Sequence, residues 1–440
     1  MGYILRFALP IMGGNVLQQM YNTLDSVIVG RYVGEHGLAA VGVASPIMSL
    51  LVFFLFGVGL GMTVLLAQRY GNGDLEEFRR NAATALTGGC LFCVPLTLLC
   101  VLLAQPVLLL LRTPPEILGQ AVLYLRIVFC GLIFTFLYNY HSAALMAIGD
   151  SKTPFYALAI SSVLNVVLDV LFVGPMGMGV GGAALATVIA QGTSSVLCLI
   201  YVYLRRPELS FHLRELRVER RCLRDLVSFS SASALQQTVL YGGRLLIQGA
   251  VNPLDVSVIA GYTAACRIES MILVPMEGVA SASASFCAKH VGAGDKAGVR
   301  DGFFSGLKLS AAYNVTVSAA VWLLAPQIMG LFRLDSPVAE ATGVTYLRYI
   351  VVFYLLASCT QMLQALFRSL GRLKITIQNS VLQISLRVLT SYLLIGVLGI
   401  RAVCLGTFIG WVAMALYSGR LAVRYFRAPE SAAAGERREL

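Results

Sequence analysis

The sequence predicts an all-α polytopic membrane protein of about twelve transmembrane helices, in two parallel six-helix repeats around a central cavity. Three observations predict it. Of 440 residues, 58% are hydrophobic and 12% charged, and mean hydropathy is +0.78; soluble domains carry roughly 25% charged residues, and so apolar a chain cannot remain solvated and disordered. The apolar runs are long and continuous, as spanning helices of about 20 residues require, and not the alternating ten-residue segments of an outer-membrane barrel. Finally, short motifs recur in the same order in the two halves.

Turn signals divide the apolar runs into expected spans 7–31, 38–68, 82–111, 117–148, 154–174 and 180–204, then 225–251, 256–288, 301–326, 339–369, 374–395 and 400–424. Those longer than a bilayer tilt or protrude. The expected domains are an N-terminal lobe 1–204, a basic cytoplasmic linker 205–224, a C-terminal lobe 225–426 and a cytoplasmic tail 427–440. The loops leave no room for a soluble catalytic or nucleotide-binding domain. Arg6, Arg69, Arg79, Arg80, Lys152, seven arginines from Arg205 to Arg224, Lys289, Lys296, Arg300, Arg368, Arg372, Lys374 and five arginines after Gly419 fall on one side. The other side holds Arg31, Arg112, Arg333 and Arg401. Positive charge marks the cytoplasmic side, so both termini are expected there. Met1 is followed by a polar-striped helix and not by a short apolar core with a cleavage site, so no cleavable signal peptide is expected.

Leu17-Gln18-Gln19 recurs as Leu235-Gln236-Gln237, Gly71-Asn72-Gly73-Asp74 as Gly292-Ala293-Gly294-Asp295, and Tyr124-Leu125-Arg126 as Tyr346-Leu347-Arg348. Six spans per half give the halves the same orientation, an arrangement associated with transporters whose site lies between two lobes.

Polar groups at membrane depth each need a partner or a function. The first span carries Asn15, Gln18, Gln19, Asn22, Asp25 and Ser26 at three- and four-residue spacing on one face. The fifth carries Ser161, Asn165 and Asp169; the seventh Ser233, Gln237, Tyr241, Arg244 and Gln248; the eleventh Asn379, Gln383, Arg387 and Ser391. These faces either line a cavity or form hydrogen bonds between helices. At 1.5 Å per residue, Asp25 lies about 27 Å past Phe7, Asp169 about 22 Å past Pro154, and Thr187 about 20 Å above the inner edge. All three belong to the outer half of the first lobe, with Asn165 one turn below Asp169. Two carboxylates, an amide and a hydroxyl at one depth suit a hard cation or a proton.

Other motifs exclude other chemistry. The Gly-x-Gly-Asp turns follow no strand and no G-x-x-x-x-G-K-[ST] exists, so an ion gradient and not ATP is the expected energy source. No H-E-x-x-H occurs; His36, His141, His212 and His290 lie apart, and His141 is either a packing or a cavity histidine. Cys90 and Cys93 form a C-x-x-C inside an apolar run with no second pair, which reads as packing. The arginines of 205–224 read as topology anchors that contact lipid headgroups, with no nucleic-acid partner.

The chain resembles the multidrug and toxic compound extrusion (MATE) transporters. The resemblance rests on Leu9-Pro10, Tyr21, Asp25, Val29-Gly30-Arg31, Leu38-Ala39-Ala40-Val41-Gly42, Gly57 to Gly61, Gly71-Asn72-Gly73-Asp74, Gly149-Asp150-Ser151-Lys152-Thr153-Pro154, Leu164 to Asp169 and Gly179 to Ala184. It implies a V-shaped, two-lobe bundle that exports organic cations or drugs in exchange for H⁺ or Na⁺, with no other cofactor. The family's first-lobe coupling cluster carries over to Asp25, Asn165, Asp169 and Thr187. Gln18, Asn22, Gln237, Tyr241, Arg244, Glu277, Asn379, Gln383 and Arg387 are the expected cavity-lining residues. Where relatives often have Pro after the fifth-span Asp, this chain has Val170. The second lobe has Arg244 near the counterpart of Asp25 and Arg387 at that of Asn165; its nearest acids are Glu269 and Glu277. That lobe is therefore not expected to be an ion site, its arginines either neutralising those glutamates or meeting an anionic group on cargo. The expected setting is a bacterial cytoplasmic membrane and the expected state a monomer. The alternatives are a flippase for lipid-linked precursors, which would have a strongly cationic cavity, and an intramembrane lipid enzyme, for which no nucleophile–base or metal set is present.

Overall fold

In a computed structural model the described residues are 2–211, 215–332 and 336–427, the side chains of Asn22 and Ser26 excepted. His212, Arg333 and the tail 428–440 lie outside them. The described residues form fourteen α-helices and no strand: α1 (Gly2–Tyr32), α2 (Glu35–Gly71), α3 (Leu75–Leu110), α4 (Pro115–Cys130), α5 (Leu132–Ala147), α6 (Lys152–Val173), α7 (Gly179–Arg205), α8 (Arg220–Val251), α9 (Val256–Ala293), α10 (Lys296–Gly330), α11 (Pro337–Val352), α12 (Tyr354–Ser369), α13 (Leu373–Leu398) and α14 (Arg401–Arg427). The pairs α4–α5 and α11–α12 are single spans bent by 41° and 55°, which reconciles fourteen helices with twelve crossings. Eight further helices are long and apolar enough to cross a bilayer. The remaining two, α1 and α8 with 31 and 32 residues, are long enough but carry polar rows.

Both bends were expected to be continuous helix. They fall at repeat-equivalent residues, Gly131 (φ −83°, ψ −3°) and Phe353 (φ −90°, ψ −2°). With ψ near zero, the residue closes one helical ladder while its carbonyl opens the next. Gly131 O accepts from the Phe134 and Thr135 amides, and Phe353 O from the Leu356 and Ala357 amides. Pro46, Pro95 and Pro275 lie inside the continuous helices α2, α3 and α9. Phe353 breaks no helix by propensity, so only its setting can place that bend.

The recurring Gly-x-Gly-Asp motif has a local cause. Gly73 and Gly294 adopt left-handed φ of 81° and 75°, which costs glycine nothing. The following aspartates then cap α3 and α10 with nearly identical backbones, Asp74 accepting from the Glu77 amide and Asp295 from the Gly298 amide, each at 2.9 Å. The Gly298 amide, and after it His290 at 2.8 Å, hold the Asp295 carboxyl below its usual range.

Two compact units result, Gly13–Ala234 and Met1–Met12 with Leu235–Leu440. Their boundaries fall inside α1 and α8, at repeat-equivalent places. In the first unit Val29, Ala40, Leu55, Leu108, Tyr124 and Ala184 belong to one apolar core. Outside that core, Arg79 on α3 grips the segment before α8. Its guanidinium donates to Pro207 O at 2.7 Å and Ser210 O at 3.1 Å, pairs with Glu215 at 3.0 Å and lies over the Phe211 ring. Arg69 joins the same layer, pairing with Glu77 at 2.8 Å and Asp225 at 2.6 Å. In the second unit Ile247, Tyr262, Met276, Met329, Tyr346, Tyr354 and Val403 share a core.

Small residues set helix spacing where lipid supplies no hydrophobic drive. In the first unit Gly57-x-x-x-Gly61 of α2 faces α8: a Cβ at Gly57 would lie 2.5 Å from Ala234 Cα, and one at Gly61 2.6 Å from Ser230 Cα. In the second, Gly406-x-x-x-Gly410 of α14 faces α13, where added Cβ atoms would lie 2.7 Å from Arg387 O and Gln383 O. Both contacts are to backbone, which cannot swing away.

Gly406→Leu is therefore expected to destabilise the detergent-solubilised protein by about 1–3 kcal/mol through overpacking, read as a lowered melting temperature; an unchanged melt would mean that α13 and α14 separate freely. Asp295→Ala should also lower the melting temperature, and Asp295→Asn, which keeps an accepting oxygen but loses the charge, should lower it less. Because folding depresses the Asp295 carboxyl, its contribution is complete above the ordinary aspartate range and is lost as pH falls through it. The difference between wild type and Asp295→Ala should accordingly shrink in acid.

Candidate functional site

In the first unit the polar rows of α1 and α6 meet. Asp25 projects from α1 and is 8% exposed; Asn165 and Asp169, one turn apart on α6, are 1% and 0% exposed. The two carboxylates are close enough for Asp25 to act electrostatically on Asp169, and both act on the Tyr21 and Tyr124 hydroxyls. No basic group contributes at either carboxylate.

Hydrogen bonding at this cluster is incomplete. Oδ1 of Asp25, both carboxylate oxygens of Asp169 and both side-chain atoms of Asn165 are buried without a hydrogen-bond partner among the described residues. Native interiors leave very few such atoms, and an uncompensated carboxylate away from water costs several kcal/mol. Four of these atoms are oxygens that a proton or a small cation would complete; the fifth, Asn165 Nδ2, is a donor. Carboxylate and amide oxygens are hard donors, which suit H⁺ or Na⁺ and not a soft metal.

Thr187, the fourth expected member, lies half-buried on α7, its hydroxyl donating to Ala183 O of its own helix at 3.1 Å. Gln18 is half-buried on α1, and its side chain approaches the Tyr21 hydroxyl, as does that of Gln191. The Asn22 side chain lies outside the described residues. Tyr21, Gln191 and Tyr124 surround the acids but were not singled out by the sequence reading. The signal was available for Gln191, a polar residue one turn beyond Thr187 in an apolar helix. The Thr135 hydroxyl donates to its Oε1. Tyr124, which donates to Met48 Sδ at 3.8 Å, gave no signal beyond its place in the repeat. His141 is a buried histidine whose Nδ1–H donates to Leu137 O at 2.7 Å, its ring edge-on to Tyr140.

The second unit places its polar residues differently. Glu269 on α9 is buried and accepts a hydrogen bond from the Tyr346 hydroxyl at 2.8 Å. Arg387 on α13 interacts electrostatically with Tyr346 and Glu269. Glu277 feels both Arg244 and Arg368. Arg244 itself is exposed, and Gln237 and Tyr241 are half-buried on α8. Gln383 is buried, and Asn379 is fully buried with its side-chain amide unpartnered. Beside them lies a satisfied network: Gln236 donates to Gln364 Oε1, and Gln364 donates to Ser380 Oγ at 3.4 Å. Hydrogen bonds between helices and orphaned polar atoms thus both occur within this unit.

Comparison with known proteins decides the family. The MatE family model matches this chain twice, over residues 10–171 and 232–393, the same offset that relates Tyr124 to Tyr346. The chain belongs to the MatE family. Its members are membrane transporters and not enzymes, and this MatE chain is a multi-pass membrane protein. The "Probable multidrug resistance protein YpnP" of Bacillus subtilis (strain 168) is 29% identical over 428 residues, 96% of this chain and 94% of that one. The "Probable multidrug resistance protein NorM" of Thermotoga maritima is 26% identical over 343 residues, 77% of this chain and 73% of that one. A MOP superfamily transporter from Pyrococcus furiosus shares the fold, with a TM-score of 0.90 at 24% identity over 97% of this chain and 96% of its own.

Orphaned polar atoms predict an unusual stability response. Asp25→Asn and Asp169→Asn are expected to leave the melting temperature unchanged or raise it, since each removes an uncompensated buried charge. Gln364→Leu, which strips the partner from Gln236, should lower it. A fall of several degrees in both aspartate variants would mean that the acids are structural and hold partners.

Proposed function

We propose that this MatE transporter is a secondary active antiporter that exports drug-like organic cations in exchange for H⁺ or Na⁺. The observation that carries the reading is the group of four unpartnered oxygens on Asp25, Asn165 and Asp169, with no basic residue acting on either carboxylate. The multidrug-resistance names of the relatives support the cargo class, and the charge bias of the loops supports a cytoplasmic membrane with both termini inside.

Empty, the pair carries two like charges in a low dielectric, which repel each other and attract cations. Uptake of an ion neutralises part of that charge, and two such carboxylates titrate as one coupled unit. Binding relieves the repulsion between α1 and α6 and alters how the first repeat packs. Its hold on a cationic cargo then weakens, so cargo leaves as the ion enters. Reorientation is rocking of one repeat against the other. A potential of 100 mV supplies about 2.3 kcal/mol for each charge moved across the membrane.

The test is transport into proteoliposomes under separately imposed pH and sodium gradients. The wild-type protein should move a cationic dye under one of the two gradients. Asp25→Asn, inserted to the same level, should lose gradient-driven transport while still equilibrating dye down its own gradient. Wild-type rates in Asp25→Asn would remove the pair from the mechanism.

A further inference from the structure

Phe353 is no helix breaker, yet α11 and α12 meet there at 55°, and the neighbouring helix supplies the reason. One face of α10 carries Ser310, Asn314, Ser318 and Trp322 at four-residue spacing, a row that runs past the bend. On the α12 limb, Asn314 Nδ2 donates to Tyr354 O at 3.1 Å and to Ser358 Oγ. At the bend itself, Ser318 Oγ donates to Val351 O at 2.9 Å. On the α11 limb, Arg348 donates to Trp322 O at 3.3 Å and lies over the Trp322 ring. The helical ladder is interrupted where these donors arrive. The Phe353 amide reaches only three residues back, to Ile350 O at 3.0 Å, an oxygen that the Tyr354 amide would take in an unbroken helix. A side chain that enters the ladder is a recognised cause of a kink. The first repeat makes its bend differently: Gly131 stands at the counterpart of Phe353, where a Cβ would lie 2.7 Å from Val188 Cγ2. Counting from the caps at Asp74 and Asp295, Cys93 stands where Asn314 does, packed in an apolar core.

We propose that Ser318 and Asn314 of α10 are a latch that holds the α11–α12 span bent, and that its release lets the span straighten, a conformational switch inside the second repeat. The latch contains no ionisable group, so it stands apart from the ion-coupled reading given above. From Val344 to Ser369 there is neither proline nor glycine, so nothing covalent fixes the break. Both states satisfy their hydrogen bonds, which is what makes a switch of them. Bent, Ser318 serves Val351 O. Straight, the Tyr354 amide closes on Ile350 O and the Leu355 amide on Val351 O. The Ser318 hydroxyl then turns to Asn314 O, four residues back on its own helix. Thr316 already bonds Ala312 O in this way at 3.0 Å. The bent state also carries a defect beside the latch. Ser310 Oγ and Asn314 Oδ1, one turn apart on residues that are both 0% exposed, have no hydrogen-bond partner among the described residues. Such atoms are rare in native interiors, and they lower the cost of leaving the bent state.

Spin labels at the two ends of the span read the angle. p-Acetylphenylalanine replaces Val338 and Lys374, both exposed, and takes a ketone-reactive label that leaves the ten native cysteines untouched. Two limbs of 16 residues each at 55° span about 5 Å less than a straight rod of the same length, at about 1.5 Å per residue. Pulsed dipolar spectroscopy of the full-length protein in liposomes should give the short distance as the main population of the wild type. Ser318→Ala should move the main population about 5 Å outward. Thr316→Ala, which removes a hydroxyl that bonds its own helix, should not. Leu355→Pro, at an exposed position in the first turn of α12, has no amide to give Val351 O and should return Ser318→Ala to the short distance. Asn314→Ala should shift the distance in the same direction as Ser318→Ala, and carries the test if Ser318→Ala fails to insert. A long main distance in the wild type, an unchanged distance in the latch variants, or a long distance that survives Leu355→Pro overturns the proposal.

Discussion

Two carboxylates and an amide held away from water without partners are the constraint on which the rest of this structure depends. Apolar surroundings do not tolerate a free charge, so the first repeat is incomplete as folded. Everything around Asp25 and Asp169 serves to keep them there: the continuous polar face of α1, the one-turn spacing of Asn165 and Asp169, and a core of Val29, Leu55 and Tyr124 against which these helices pack. In the other repeat Gln236, Gln364 and Ser380 bond one another, while the Asn379 amide beside them keeps no partner among the described residues.

Duplication supplied two copies of one scaffold, and the copies diverged in charge more than in geometry. The caps at Asp74 and Asp295 have almost the same backbone angles, and so do the bends at Gly131 and Phe353. Within that shared frame, Arg387 stands at the counterpart of Asn165 and Arg244 near that of Asp25.

Much of this was legible in the chain because its causes are local. Hydropathy and turn residues place twelve crossings, since a bilayer requires about 20 apolar residues per crossing. Gly73-Asp74 and Gly294-Asp295 announce their turns because a left-handed residue and a cap act within four positions. Asp25, Asn165 and Asp169 stood out because acids are rare in apolar helices. The bend at Phe353 was not legible: nothing in Tyr354 or its neighbours disfavours helix, and the break exists only where the chain packs. Tyr21 stood out only through the family resemblance and Tyr124 only through the repeat; proximity to the acids, which packing alone decides, gives both a further meaning. Thr187 donates its hydroxyl proton to its own helix, which leaves its oxygen lone pairs to face a neighbour.

The sequence by itself determined the helical class, the number of crossings, the duplication and the identity of the acids, because these follow from composition, period and spacing along one strand of chain. The tertiary structure decided which polar groups are satisfied and which are not. Hydrogen bonds and charge pairs between helices depend on which faces meet, and residues as distant as Gln236 and Gln364, or Glu269 and Arg387, become neighbours only when the helices pack.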